Sequence, residues 1–312
     1  MGVNPTATSR IDWLLFVLLG FLWGSSYLFI KIGVDAGLAP FTLVMLRLAI
    51  GFAMLAAVVI VARQALPRKA AVYGHLFVLG IFSVALPFSL ITWAERSVDS
   101  ALAATLTAPV PLFVVPIAAL MLHDERLSLR KLVGAAIGLV GVAILVGFDP
   151  GSVVRHDLAA EAALIGAALS YAVGGVYARR FVHGYRPMIP ALFQVGFGLL
   201  VMIVLAFAFE SPLQASLPPE ALLAVVWLGL FGSGLAYLVF FRLLGRWGAT
   251  RTSLVAYLLP VYGIALGALV LSEPIHAGLL LGTGLIVGGI ALVNSRLRLP
   301  RRQARASIEQ GR

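Results

Sequence analysis

An all-α integral membrane protein, with ten transmembrane helices arranged as two inverted five-helix repeats, is the fold this sequence predicts. Three observations predict it. The 312 residues are 61% hydrophobic and 12% charged, with a mean hydropathy of +1.02, which leaves too little polar surface to cover a soluble domain. Hydropathy resolves ten runs long enough to cross roughly 30 Å of hydrocarbon as helices. One pattern also recurs at a fixed spacing of 148 residues: Trp23, Lys31, Glu125, Gly134 and Gly141 return as Tyr171, Arg179, Glu273, Gly282 and Gly289. Such duplication is the signature of a two-repeat membrane architecture.

The ten runs are expected near residues 13–31, 40–62, 72–93, 100–122, 132–148, 158–178, 188–209, 221–241, 252–271 and 277–294. Span one is preceded by the single basic residue Arg10, lacks an Ala-x-Ala cleavage pattern and ends in Lys31, so it reads as a retained span and not as a signal peptide. Span two carries Arg47 inside the apolar run Leu43–Phe52. Span three places Ser89 and Trp93 on one face, four residues apart. Span four contains Pro109, Pro111 and Pro116, where a helix loses backbone hydrogen bonds and bends. Spans five and ten are rich in small residues, with Gly134, Gly138 and Gly141 in one and Gly282, Gly284, Gly288 and Gly289 in the other. That pattern lets helix backbones approach closely and marks scaffold, or a homodimer face as the functional alternative. Span six repeats the stripe of span one through Tyr171, Gly175 and Arg179. Span seven is apolar throughout Leu199–Phe209, which rules out a β-barrel strand. Span eight offers Ser233 and Tyr237, and span nine Ser253, Tyr257 and Pro260.

Lysine and arginine resist translocation. With the N-terminus inside, the cytoplasmic segments hold 19 of the 23 basic residues, and Lys31, Arg96 and Arg155 face the other side. Both termini are therefore expected in the cytoplasm. Five spans per repeat is odd, so the second copy enters the membrane inverted. The expected organisation is a tail 1–12, a first repeat 13–148, a second repeat 158–295 and a basic tail 296–312, with the loop Asp149–Asp157 too short to separate domains. The net charge of +10 sits between hydrophobic runs, which argues for lipid headgroups and against nucleic acid.

Polar and aromatic residues at helical spacing nominate a pathway. Trp23, Tyr27, Ser89, Trp93, Thr105, Tyr171, Ser233, Tyr237, Ser253 and Tyr257 fall on six spans: one, three, four, six, eight and nine. The bland reading of each is packing or interfacial anchoring. Pro109, Pro111 and Pro260 are expected as kinks; they either merely bend their helices or free carbonyls that line a cavity. Arg47 is the one charge well inside a run, at a cost of about 2.5–3.5 kcal/mol on insertion scales. It either finds carbonyls and snorkels outward, or meets a substrate carboxylate or phosphate. All five histidines lie at span ends or in loops, as do Glu95 and Glu161, so a proton carrier is not evident unless Glu95 is recruited. The sequence has no cysteine and no His-Glu-x-x-His pattern; no metal, cofactor or catalytic residue is expected. A membrane-embedded enzyme would need paired catalytic groups at depth, and a channel would need rings of like polar groups.

Taken in order, Trp23-Gly24 with Lys31, Arg47, the segment from Pro111 to Glu125-Arg126-Leu127, Gly134 and Gly141, and then Tyr171, Arg179, Pro260, Glu273, Gly282 and Gly289, resemble the EamA family of the drug/metabolite transporter superfamily. The resemblance covers roughly residues 13–295. It implies ten helices, cytoplasmic termini, alternating access, a substrate site among the six spans above, and export of amino acids or other small metabolites across the bacterial inner membrane. Relatives handle many solute classes; the aromatic lining points here to amino acids, aromatic or apolar ones included, with drugs, sugars or phosphorylated metabolites as the alternative. The expected partners are a small-molecule substrate and the bilayer, with the chain a monomer or homodimer.

Overall fold

The computed structural model describes residues 10–121, 129–147, 157–182 and 184–294, and within these there is no β-strand. Ten helical spans follow in chain order: α1 Arg10–Asp35, α2 Pro40–Val61, α3 Ala70–Ala94, α4 Ser100–Met121, α5 Leu129–Gly147, α6 Leu158–Phe181, α7 Met188–Phe209, α8 from Pro219 to Thr252, α9 Leu258–Leu271 and α10 Ala277–Asn294. Seven of them are long and apolar enough to cross a membrane outright, and α5, α9 and α10 contribute shorter apolar stretches. The tail 1–9, Glu125 with its turn, the junction 148–156 and the basic tail from 295 onward lie outside the described residues.

Turn chemistry fixes several ends. The α1–α2 and α6–α7 connections each use a glycine at positive φ, Gly37 (+90°) and Gly184 (+93°), a conformation side chains disfavour. Pro40 opens α2 at a position where its missing N–H is lost anyway. Glu210, just past α7, supplies the cap that α2 lacks locally: its carboxylate accepts from the Phe41 amide (2.9 Å), the Thr42 amide (2.7 Å) and the Thr42 hydroxyl (2.7 Å). Glu273, just past α9, does the same for α4 through the Ser100 amide (2.8 Å), the Ser100 hydroxyl (3.0 Å) and the Ala101 amide (3.0 Å). Both place negative charge on the positive end of a helix dipole.

Helix packing follows the duplication. Helix α1 packs on α8 and α9, and its counterpart α6 packs on α3 and α4. Helix α2 packs on α8 as α7 packs on α3, while α2–α7, α4–α9 and α5–α10 pair with their own counterparts. Each half therefore places its first two helices on the third and fourth of the other. Neither half holds its own core, so the ten helices form a single inverted-repeat bundle.

The α5–α10 pair is glycine-packed. A Cβ at Gly141 would lie 2.8 Å from the Gly282 carbonyl oxygen and 2.9 Å from the Ile286 nitrogen, and one at Gly289 would lie 2.5 Å from the Gly134 carbonyl oxygen. These faces are thus used inside the chain. Gly284 and Gly288 have open space where a Cβ would go.

Candidate functional site

The backbone of α3 departs from α-helical register in the middle of the span. Residue 87 is proline, so the Ser83 carbonyl has no amide donor four residues on. Helix α3 responds with a π-helical stretch, Ile81–Ala85, in which the Leu86 amide bonds back five residues to Ile81. Two carbonyls freed from the regular ladder are taken by side chains from the other repeat. The Tyr237 hydroxyl of α8 donates to the Ser83 carbonyl (2.8 Å), and the Ser170 hydroxyl of α6 donates to the Phe82 carbonyl (2.8 Å).

Helix α8 carries a π-helical stretch at the matching place, Leu228–Leu235, with the Ala236 amide bonded to the Phe231 carbonyl. Adding 148 to Ile81 and Ala85 gives 229 and 233, within that stretch. No proline sits here; Gly229, Gly232 and Gly234 loosen the helix instead and admit α2 at close range. A Cβ at Gly232 would meet the Ser26 hydroxyl oxygen at 2.8 Å and Arg47 Nη2 at 3.1 Å.

That gap receives Arg47. The guanidinium is 2% exposed, donates from Nε to the Ser233 hydroxyl (3.2 Å) and stacks over the Phe88 ring with Cζ 4.1 Å from its centroid. The cation–π contact and the hydroxyl are what compensate a charge at this depth. Arg47 does not snorkel outward. Tyr27, Tyr171, Tyr237 and Glu95 lie close enough to act on its charge, so α1, α2, α3, α6 and α8 converge there.

Around this centre the structure brings several sequence-nominated residues together. Tyr27 is buried with its hydroxyl paired to Thr107, which in turn donates to the Ala103 carbonyl (2.8 Å). Trp23 sits edge-on to Tyr237 at 5.9 Å and beside Phe240 at 5.3 Å. Trp23 and its repeat counterpart Tyr171 each pack against the same two hydrophobic cores, one built on Leu43 and Leu164 and the other on Leu48 and Val195. Half-buried Tyr257 packs on the first of these cores.

Other nominated residues face elsewhere. Ser89 donates to the Ala85 carbonyl (2.7 Å) and to Met202 Sδ of α7 (3.2 Å). Thr105 donates to the Ala101 carbonyl (2.8 Å) and approaches the Thr283 hydroxyl of α10 (3.4 Å). Trp93 is 41% exposed, outside the buried cores. The side chain of Ser253 lies outside the described residues; its backbone opens a 3-10 turn, Ser253–Tyr257, that leads into α9. Pro260 is the third residue of α9, and Pro109 sits in the turn that breaks α4 between Thr107 and Val110, with Pro111 second in the segment that follows. Thus α4 and the approach to α9 are irregular at matching places in the two repeats.

Two contributors at the centre were not nominated from sequence: Phe88 and Thr107. Pro87 was the signal for the first, since it forces the backbone change that presents Phe88 to Arg47. Glu95 reads as a span-end residue, yet it is fully buried. At the same end, Lys31 pairs with Asp35 (3.0 Å) and donates to the Glu95 main-chain carbonyl (3.1 Å). Asp157, the α6 cap, accepts from the Ser97 hydroxyl (2.7 Å) and the Ala160 and Ala159 amides (both 3.1 Å), which hold its carboxyl below the usual range.

The model of the EamA-like transporter family matches residues 11–147 and again 158–295. The chain is 31% identical over 276 residues to "Uncharacterized inner membrane transporter YedA" of Escherichia coli (strain K12), covering 87% of each chain. It is 24% identical over 269 residues to "Uncharacterized transporter YoaV" of Bacillus subtilis (strain 168), covering 86% of this chain and 91% of that protein. A Salmonella typhimurium (strain LT2) protein named "Probable amino-acid metabolite efflux pump" is 27% identical over 314 residues, covering 96% and 99%. A protein of known crystal structure superposes with a TM-score of 0.66 at 24% identity, covering 91% of this chain and 98% of that one; this likeness shows the fold alone.

Proposed function

This chain belongs to the EamA-like transporter family, and from that premise we propose that it exports small metabolites, amino acids first among them, across the bacterial inner membrane by alternating access. The observation that carries the reading is Arg47. Among the described residues its only hydrogen bond is from Nε to Ser233, so its terminal N–H groups remain to meet a carboxylate, which a guanidinium binds with two parallel hydrogen bonds. Tyr27, Tyr171, Tyr237 and Trp23 surround it with aromatic surface suited to an apolar side chain. A single deep cation fits an amino acid better than a phosphorylated solute, which calls for more than one.

Alternating access is supported by the reciprocal packing. Tyr237 and Ser170 bind the π-helical carbonyls of α3 across the repeat boundary, and such bonds are the ones a rocking motion breaks and remakes. In this reading α1, α3, α4, α6, α8 and α9 wall the pathway, and both termini are cytoplasmic, as the lysine and arginine count requires. The 27% identical efflux pump supports the choice of amino acids.

The test is counterflow in liposomes with purified protein. Internal unlabelled amino acid should accelerate entry of the labelled one, and Arg47→Ala should abolish the acceleration while the protein remains folded in the membrane. No exchange for any amino acid would overturn the substrate class; flux without exchange would overturn the carrier mechanism.

A further inference from the structure

Three glutamates cluster by position at one end of the bundle, and only two of them are satisfied. Glu210 and Glu273 each accept three hydrogen bonds at a helix N-terminus. Glu95, one residue past α3, is 0% exposed, and neither carboxyl oxygen has a hydrogen-bond partner among the described residues. The Thr92 hydroxyl, three residues earlier and equally buried, is unpaired as well.

Among the described residues no charged group near Glu95 hydrogen-bonds its carboxyl. From α1, Lys31 pairs with Asp35 and donates to the Glu95 main-chain carbonyl, and its charge favours the ionised carboxylate less than burial disfavours it. From α2, Arg47 donates from Nε to Ser233 and stacks on Phe88, and among the described residues no hydrogen bond joins it to Glu95. Beyond α9, Glu273 caps α4 and adds repulsion. Tyr27 of α1 is within reach, and its hydroxyl is paired with Thr107. An ionised carboxylate enclosed without donors costs several kcal/mol, and such a group holds a proton instead.

We propose that Glu95 is the proton-binding group of the transport cycle, which ties solute movement to a proton. With its end of the bundle packed as here, Glu95 is the neutral acid. When that end opens to water, the carboxyl O–H bond breaks, the electron pair stays on the carboxylate and the proton passes to water. Closure requires the reverse step. No oxidation or reduction is involved. A buried carboxyl serves this purpose because its protonation state follows its access to water.

The inference rests on the transporter reading but not on the identity of the solute, and the test separates the two. Infrared difference spectra of the purified full-length protein, recorded across a pH series, should show a protonated carboxyl signal that disappears as pH rises and is missing from Glu95→Gln. Identical spectra for the two proteins would overturn the proposal whatever the solute. In liposomes, using labelled phenylalanine as the probe, Glu95→Gln should keep counterflow, because glutamine mimics the neutral acid. It should lose about ten-fold or more of the accumulation driven by a pH gradient. Counterflow with gradient-driven accumulation intact in Glu95→Gln would also overturn it. Absence of phenylalanine counterflow in the unaltered protein counts against the amino-acid reading and leaves the infrared result to decide on Glu95. If Glu95→Gln does not fold, Glu95→Asp replaces it: the carboxyl signal must then shift, and an unshifted signal overturns the assignment.

Discussion

The α3–α8 pair and the α5–α10 pair solve the same problem in opposite ways. Both are helix pairs that duplication has placed at matching positions, in a medium with no water to satisfy backbone polar groups. In α5 and α10 every feature hides the backbone: glycines let the two regular helices meet at contact distance, and no side-chain hydroxyl is needed. In α3 and α8 the helices are deliberately irregular, and the carbonyls released from the ladder of α3 are claimed by Tyr237 and Ser170. Regular, glycine-packed helices are suited to holding still, whereas carbonyls held by side chains from another element are suited to being let go. The difference separates scaffold from moving parts.

Substitutions can break that comparison, and the largest effect is expected on the scaffold. Gly141→Leu or Gly289→Leu pushes a side chain into backbone atoms that have nowhere to move, at a cost of about 3 kcal/mol or more. Fluorescence-detected gel filtration should show loss of the folded species. Gly284→Leu, which meets open space, should leave the yield unchanged, and a matching loss there would show that helix propensity and not close approach is at stake.

A smaller effect is expected at Tyr237→Phe, which leaves the Ser83 carbonyl buried without its donor. That loss is worth about 1–3 kcal/mol, read as a lower melting temperature in detergent together with slowed counterflow. Unchanged stability would mean that the π-helical carbonyls need no cross-repeat donor. Next comes Glu273→Gln, which keeps the shape of the α4 cap but removes its charge from the helix N-terminus, for about 0.5–1 kcal/mol. The smallest structural effect is expected at Trp93→Ala, because the indole is 41% exposed and no core depends on it. The melting temperature should stay within error while transport weakens. Full transport would place Trp93 among the lipid-facing residues.

Much of the scaffold was legible from sequence, since it depends on local composition. Uninterrupted apolar length fixes where a helix must cross, and the glycines of α5 and α10 announce close packing in their spacing. The breaks in α4 and before α9 were legible through Pro109 and Pro260. Less of the site was legible. Arg47 stood out as a charge in an apolar run, but that it meets Ser233 and Phe88, which come from two other helices, is written in no local pattern. Ser89 and Thr105 share helical faces with pathway candidates, yet they spend their hydroxyls on their own helix and on α7 or α10. Helical spacing tells which residues share a face and not which neighbour that face meets.

The amino-acid sequence by itself determined that this chain lives in a bilayer, crosses it ten times and is built of two inverted copies. Those properties follow from transfer free energies summed along the chain and from an odd number of crossings per copy. Only the tertiary structure decided that each half completes the core of the other, that α3 and α8 carry matching π-helical stretches, and that Glu95 lies buried beside Lys31 and within range of Arg47. The reason is physical: a side chain's partners and its access to water depend on which helices pack against it, and long-range packing leaves no mark in local periodicity.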